Sequence, residues 1–282
     1  MRLKRLTYLS ECLTKPFHCS IFDNYFYIFR FYVMKVLYTI WCFFWLVLLF
    51  LFLFPAMYLC LQREQWKPYA HRLNRLWGQL FFPLAGIRLS IEYRSKPDPQ
   101  QAYVFCANHF SYLDIAVMGV ILEHYFAFVG KADVKNIPLF GYMFKNLHIQ
   151  VNRDSTQSRV SSLNRAIKTL AQGRSIMVFP EGGIKAKQPP QMHRPFMDGA
   201  FKMAIQQQVP IVPISLLTNY KILPDVHPIR MHRFPMQAIV HEAIPTVGLT
   251  PQDVVSLRDK CFGVIDDELK KHAFPQKEGS KE

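Results

Sequence analysis

Residues 36 to 61 run for 26 positions without a formal charge, dominated by Phe, Leu and Trp and bracketed by Lys35 and Arg63. Roughly 20 apolar residues span a bilayer core, so this run is either a retained membrane segment or a very hydrophobic buried helix. It is too long for a signal peptide, and no small-residue cleavage site closes it. Pro55 falls inside the run, which leaves two forms open: a helix that spans, and one that dips and returns. Residues 1–63 therefore read as an anchor. Arg2, Lys4, Arg5, Lys15, Arg30 and Lys35 precede the apolar run, while Arg63, Lys67, Arg72 and Arg75 follow it, so the positive-inside rule sets no orientation.

Downstream, Trp66, Tyr69, Leu73, Leu76, Trp77, Leu80 and Leu84 recur at three- and four-residue intervals, with Lys67, Arg72, Arg75 and Gln79 between them and Pro83 as a stop. That spacing predicts an amphipathic helix over 64–95 with a short link. Its apolar stripe either lies in the headgroup plane or packs on the domain that follows.

The remaining chain suits one α/β domain, 96–274, with a charged, disordered tail at 275–282. Runs 103–107, 125–129, 147–151, 175–179, 211–217 and 237–241 are short, apolar and rich in Val, Ile and Phe, as buried strands are. Helical patterns occupy 155–172, closed by Gly173, then 194–208, and 250–272, which opens Thr-Pro-Gln-Asp. The fold class is α/β, a mostly parallel or mixed sheet covered by helices, with an N-terminal hydrophobic membrane helix.

The net charge of +14 calls for an anionic partner. Because the aromatics mass near the N-terminus and no zinc-finger or RNA-recognition signature is present, that partner is membrane lipid and not nucleic acid. Cys12, Cys19, Cys42, Cys60, Cys106 and Cys261 are scattered without metal-ligand spacing, so neither a disulfide framework nor a metal or cofactor is expected.

Residues 104–117 carry the chemistry, bringing Asn108, His109 and Asp114 onto a strand-to-helix turn. On one continuous helix His109 and Asp114 would stand about 140° apart. If Ser111 caps the helix, Asp114 falls at its third position and the carboxylate can reach back to the imidazole, as a general base requires. Ser-x-x-Asp is equally a capping box, which needs no catalysis. Ser111 lacks the Gly-x-Ser-x-Gly setting of a hydrolase nucleophile.

Asn108-His109 followed after four residues by Asp114 resembles the first signature block of the glycerolipid acyltransferases, the 1-acylglycerol-3-phosphate acyltransferase family. The stretch 141–154, ending Asn152-Arg153-Asp154, resembles the second block, Val178-Phe179-Pro180-Glu181-Gly182 the third and Val209-Pro210-Ile211-Val212-Pro213 the fourth. The resemblance implies acyl transfer from an acyl thioester, on coenzyme A or acyl carrier protein, to the hydroxyl of a lysophospholipid such as lysophosphatidic acid. It implies His109 as general base and Asp114 as its orienting partner, with Asn108, Arg153, Glu181 and Gly182 on the substrate side, to which the following Gly183 and Lys185 are added as candidates. Residues 130 to 202 hold twelve Lys and Arg against four acids, a field that would draw a phosphate-bearing acceptor. One departure stands out: the family continues Pro-Glu-Gly with Thr-Arg-Ser, whereas Gly183-Ile184-Lys185 follow here, leaving Lys185, Lys187 or Arg194 to replace the missing Arg. A cytosolic donor would place the domain on the cytoplasmic side of the membrane. Two rivals remain: an acyltransferase for another lyso-lipid or an amino-acid lipid, and a non-catalytic lipid-binding protein.

Overall fold

A computed structural model describes residues 21–186 and 190–273. Arg2, Lys4, Arg5, Lys15, Lys187 and the tail 275–282 lie outside the described residues. The apolar run sits within a single helix, α1 (Ile21–Cys60), which passes through Pro55 unbroken, so the chain does not turn back there. Its stretch Tyr32–Cys60 is long and apolar enough to cross a membrane.

After a short 3-10 turn comes α2 (Lys67–Leu84). Of the expected stripe, Leu73 and Trp77 pack inward against α1 and the segment 140–147. Ala70, His71, Gly78, Phe81 and Phe82 are buried, whereas Trp66, Tyr69, Leu76, Leu80 and Leu84 are exposed. A Cβ on Gly78 would stand 2.7 Å from Val120 Cγ2, so the helix approaches the domain closely at that glycine, while Phe81 and Phe82 fill the core beside it.

Seven strands form one sheet: β1 (Leu89–Tyr93), β2 (Val104–Ala107), β3 (Phe126–Lys131), β4 (Ile149–Val151), β5 (Ser175–Val178), β6 (Ile211–Leu216) and β7 (Met236–Val240). Their order is β1-β7-β6-β2-β5-β3-β4. Strands β6, β2, β5, β3 and β4 run parallel to one another; β7 pairs antiparallel with β6, and β1 lies parallel to β7. The sheet is thus mixed, with its antiparallel pairing confined to the β6–β7 junction. β1 is absent from the expected strands. Its alternation Leu-Ser-Ile-Glu-Tyr places it in the sheet, so the sheet domain begins before the expected boundary at 96.

The helices are α3 (Leu113–Ile121), α4 (Phe140–Leu147), α5 (Thr156–Ala171), α6 (Gly199–Gln207), the single turn α7 (Asn219–Ile222) and α8 (Val254–Ala273). Alternation along β2 divides the core. Phe105 and Ala107 pack with α2 and α3 on one face, while Val104 and Cys106 pack with α5, α6 and α8 on the other. Ser155 Oγ caps α5 by accepting from Ser158 N at 3.2 Å, and Thr250 and Asp253 form a capping box ahead of α8. α6 starts at Gly199 and not at the expected Arg194, because the intervening backbone is bonded elsewhere: Met197 N donates to Pro180 O at 2.8 Å and His193 N to Glu181.

Candidate active site

Every residue of the expected site follows the carboxyl end of a parallel strand. Asn108 and His109 follow β2, Arg153 follows β4, and Glu181 to Lys185 follow β5. In open α/β sheets that edge is where ligands bind, since loops there converge while the strands stay rigid.

His109 Nδ1 donates to Asp114 Oδ2 at 3.0 Å. The same oxygen accepts from the backbone N–H groups of Phe110 at 2.9 Å and Ser111 at 3.0 Å. Asp114 is fully buried, so its charge is held entirely by donors. The helix begins differently from the expectation: Tyr112 is the N-cap of α3, and Asp114 is its second residue instead of its third. Ser111 Oγ instead donates to Leu223 O at 2.7 Å and accepts from Leu113 N at 3.1 Å. The capping and dyad geometries, posed as alternatives by the sequence, coexist on one carboxylate oxygen.

The imidazole face stacks on Phe179, with ring centroids 4.1 Å apart and planes 15° apart. With Nδ1 spent on Asp114 and the ring side chain 11% exposed, Nε2 is the nitrogen left free to accept a proton, and it takes no protein hydrogen bond among the described residues.

Two residues expected to bind substrate turn out to hold the turn. Asn108 Nδ2 donates to Leu216 O at 2.9 Å and its Oδ1 accepts from Leu216 N at 2.7 Å; the amide is buried and spent on the backbone of β6. Glu181 Oε1 accepts from His109 N at 2.7 Å and Oε2 from His193 N at 2.9 Å. Burial pushes the Glu181 carboxyl up to about 7, against the pull of those two backbone donors. Glu181 thus ties the β5 turn to the His109 backbone.

The cationic side is built around a glycine turn. Gly182 and Gly183 have φ of 77° and 147°, a backbone that side chains resist, and Arg153 Nη1 donates to Gly182 O. Burial lowers the Arg153 guanidinium from its ordinary value. Lys185 Nζ lies 3.5 Å from the point where a side chain on Gly182 would begin. Arg194 is not part of this cluster, since its guanidinium pairs with Asp266 at 3.0 Å and covers the Phe262 ring.

A buried Ser–His contact joins Ser215 Oγ to His241 Nε2 at 2.8 Å. Arg94 Nη1 faces His241 Nδ1 at 3.3 Å, so Nδ1 accepts and Nε2 carries the proton toward the serine. That histidine cannot activate Ser215.

The family described as Acyltransferase matches residues 88–217. Over 218 residues the chain is 28% identical to a 1-acyl-sn-glycerol-3-phosphate acyltransferase of Chlamydomonas reinhardtii, covering 76% of this chain and 64% of that one. Over 188 residues it is 32% identical to the 1-acyl-sn-glycerol-3-phosphate acyltransferase alpha of Homo sapiens, covering 63% and 62%. In sequence the chain is similar to the glycerolipid acyltransferases. The matches span 64%, 51% and 49% of the length of three such relatives, from Chlamydomonas reinhardtii, Brassica napus and Arabidopsis thaliana. The crystal structure titled as PlsC, the 1-acyl-sn-glycerophosphate (LPA) acyltransferase of Thermotoga maritima, matches with a TM-score of 0.70 at 20% identity. The match covers 88% of this chain and 99% of that one, a likeness of fold.

The site contains groups that the motif spacing left out. Phe179 lies within a signature block, yet nothing in the spacing says that its ring backs the imidazole. Asn219 lies beyond the fourth block and donates from Nδ2 to Asp114 Oδ1 at 2.8 Å. A signal for it existed: like Asn108, it follows the carboxyl end of a parallel strand at the site edge.

Proposed function

We propose that this protein transfers an acyl chain from an acyl thioester, on coenzyme A or acyl carrier protein, to the free hydroxyl of lysophosphatidic acid, giving phosphatidic acid. The observation that carries this reading is the His109–Asp114 contact of 3.0 Å, which spends Nδ1 and leaves Nε2 as the acceptor at the ligand-binding edge. The names of the relatives, 1-acyl-sn-glycerol-3-phosphate acyltransferases, support the acceptor.

Nε2 takes the hydroxyl proton as the acceptor oxygen attacks the thioester carbonyl. The C–O bond forms, the C–S bond breaks, and the imidazolium returns its proton to the departing thiolate. A base so placed contributes about 10² to 10⁴ in rate. Asp114 holds the ring tautomer and favours the imidazolium. Arg153 and Lys185, on the glycine turn, supply positive charge for the acceptor phosphate, while Asn108 and Glu181 position the turn that carries His109. The domain lies against the cytoplasmic leaflet, on the side of the thioester donor, with α1 and the exposed stripe of α2 in lipid.

Full-length protein in detergent, given acyl-coenzyme A and lysophosphatidic acid, is expected to form the diacyl product, and His109→Ala to lower kcat at least about tenfold. A smaller loss removes the base assignment. An acceptor panel with one donor tests the headgroup: if a zwitterionic lyso-lipid outperforms lysophosphatidic acid, the phosphate role of Arg153 and Lys185 is wrong.

A further inference from the structure

We infer that Asn219 is a positioning residue for the acyl transfer, fixing the plane of the Asp114 carboxylate and through it the aim of the His109 ring; the inference rests on the base assignment above. Asp114 Oδ2 is held by His109 Nδ1, Phe110 N and Ser111 N, while its Oδ1 receives no bond from that turn. Asn219 Nδ2 supplies the donor on Oδ1, at 2.8 Å. With both oxygens held the plane is set. Since Phe179 stacks on one face of the imidazole, the carboxylate plane is the remaining control on ring orientation.

Asn219 is itself held firmly. It is 1% exposed, and its carbonyl accepts from Leu223 N at 2.9 Å while Leu223 O accepts from Ser111 Oγ at 2.7 Å. Thr218 Oγ1 donates to Pro235 O at 2.9 Å and accepts from Gln237 N at 2.8 Å, pinning the residue ahead of it to β7. The side chain therefore reaches Asp114 from a fixed base. Its own Oδ1 is buried without a hydrogen-bond partner among the described residues. A group that leaves one polar atom unsatisfied while the other bonds Asp114 is placed for that bond, not for local capping.

The test is a double-mutant cycle in kcat and KM. Asn219→Leu, close in volume but with no donor, is expected to lower kcat about 10- to 100-fold. KM for both substrates should stay within about threefold. Asn219→Asp, the same shape with an acceptor facing an acceptor, is expected to lose at least as much and covers the case in which the Leu variant does not fold. In an Asp114→Asn background neither change should lower kcat further, because the route through Asp114 is already cut. An unchanged kcat, a loss carried by KM, or losses that multiply in the double variants would overturn the inference. Should Asp114→Asn alone keep full kcat, the base assignment fails first, and the two failures are thereby told apart.

Discussion

Glu181 shows how a single buried carboxyl sets both geometry and pH response. Its folded value of about 7 lies above its ordinary 4.5, so between these values the unfolded chain gives up its proton before the folded one does. Stability from this group is then present below about 4.5, declines as pH rises to about 7, and is flat beyond, a span worth up to about 3 kcal/mol. Glu181→Gln removes the titration but turns an amide donor toward one of the two backbone N–H groups. The expected result is a lower thermal midpoint than wild type at pH 5 and a smaller gap at pH 8. Equal gaps at both pH values would show that Glu181 does not titrate on folding. His71 acts in the other direction. Burial lowers it to about 4 from 6.5, and both ring nitrogens lack partners among the described residues. It adds a stability term that is complete above 6.5 and is lost as pH falls toward 4. His71→Phe, packing on Phe126, is expected to gain about 1 kcal/mol at pH 7 and to lose less than wild type on going to pH 5, read from melting curves. What the sequence showed at this scale was local. His109 and Asp114 are five positions apart and their contact follows from a turn, whereas Glu181 reaches the His109 backbone across 72 positions and Asn108 reaches Leu216 across 108, and no spacing rule covers such pairs.

At the scale of elements, periodicity marked α2, α5 and α8 but missed α4, and it left open which way the stripe of α2 faces. The stripe of α2 was legible as large apolar residues at helical spacing, yet Phe81 and Phe82 fill the core beside it, with Ala70 and Gly78 allowing close approach. Leu76 and Leu80, 38% and 40% exposed, therefore face outward beside α1. The double change Leu76→Gln, Leu80→Gln is expected to leave the thermal midpoint nearly unchanged and to weaken binding to anionic vesicles about tenfold, measured by flotation. A clear fall in the midpoint with vesicle binding intact would instead assign the stripe to the fold. β1 escaped the reading for a related reason. Its five residues alternate and are at most half-buried at a sheet edge, so they lack the continuous apolar run that marks the central strands.

For the whole molecule, the question left by the apolar run is how α1 sits relative to the bilayer. Tyr32 receives a bond from Arg230 at 2.8 Å, Thr39 Oγ1 accepts from Met231 N at 3.1 Å, and Tyr58 packs on Tyr142 with ring centroids 5.5 Å apart. Tyr32 and Tyr58 stand about 39 Å apart along the helix, more than the roughly 30 Å of a hydrocarbon core. A crossing along the membrane normal would set Arg230 and Tyr142 on opposite sides and draw the loops between them through lipid, where unpaired backbone and charge are not tolerated. The expected arrangement is a helix lying obliquely in one leaflet, its domain-facing side sealed and the exposed Phe29, Ile40, Phe44, Leu51 and Phe52 available to lipid. Arg30→Cys and Arg63→Cys, each in a chain whose native cysteines are replaced, are expected to react with a membrane-impermeant maleimide from the same side of sealed vesicles. Labelling of the two from opposite sides would mean that α1 crosses, and that the contacts holding it along the domain open when the protein enters the membrane.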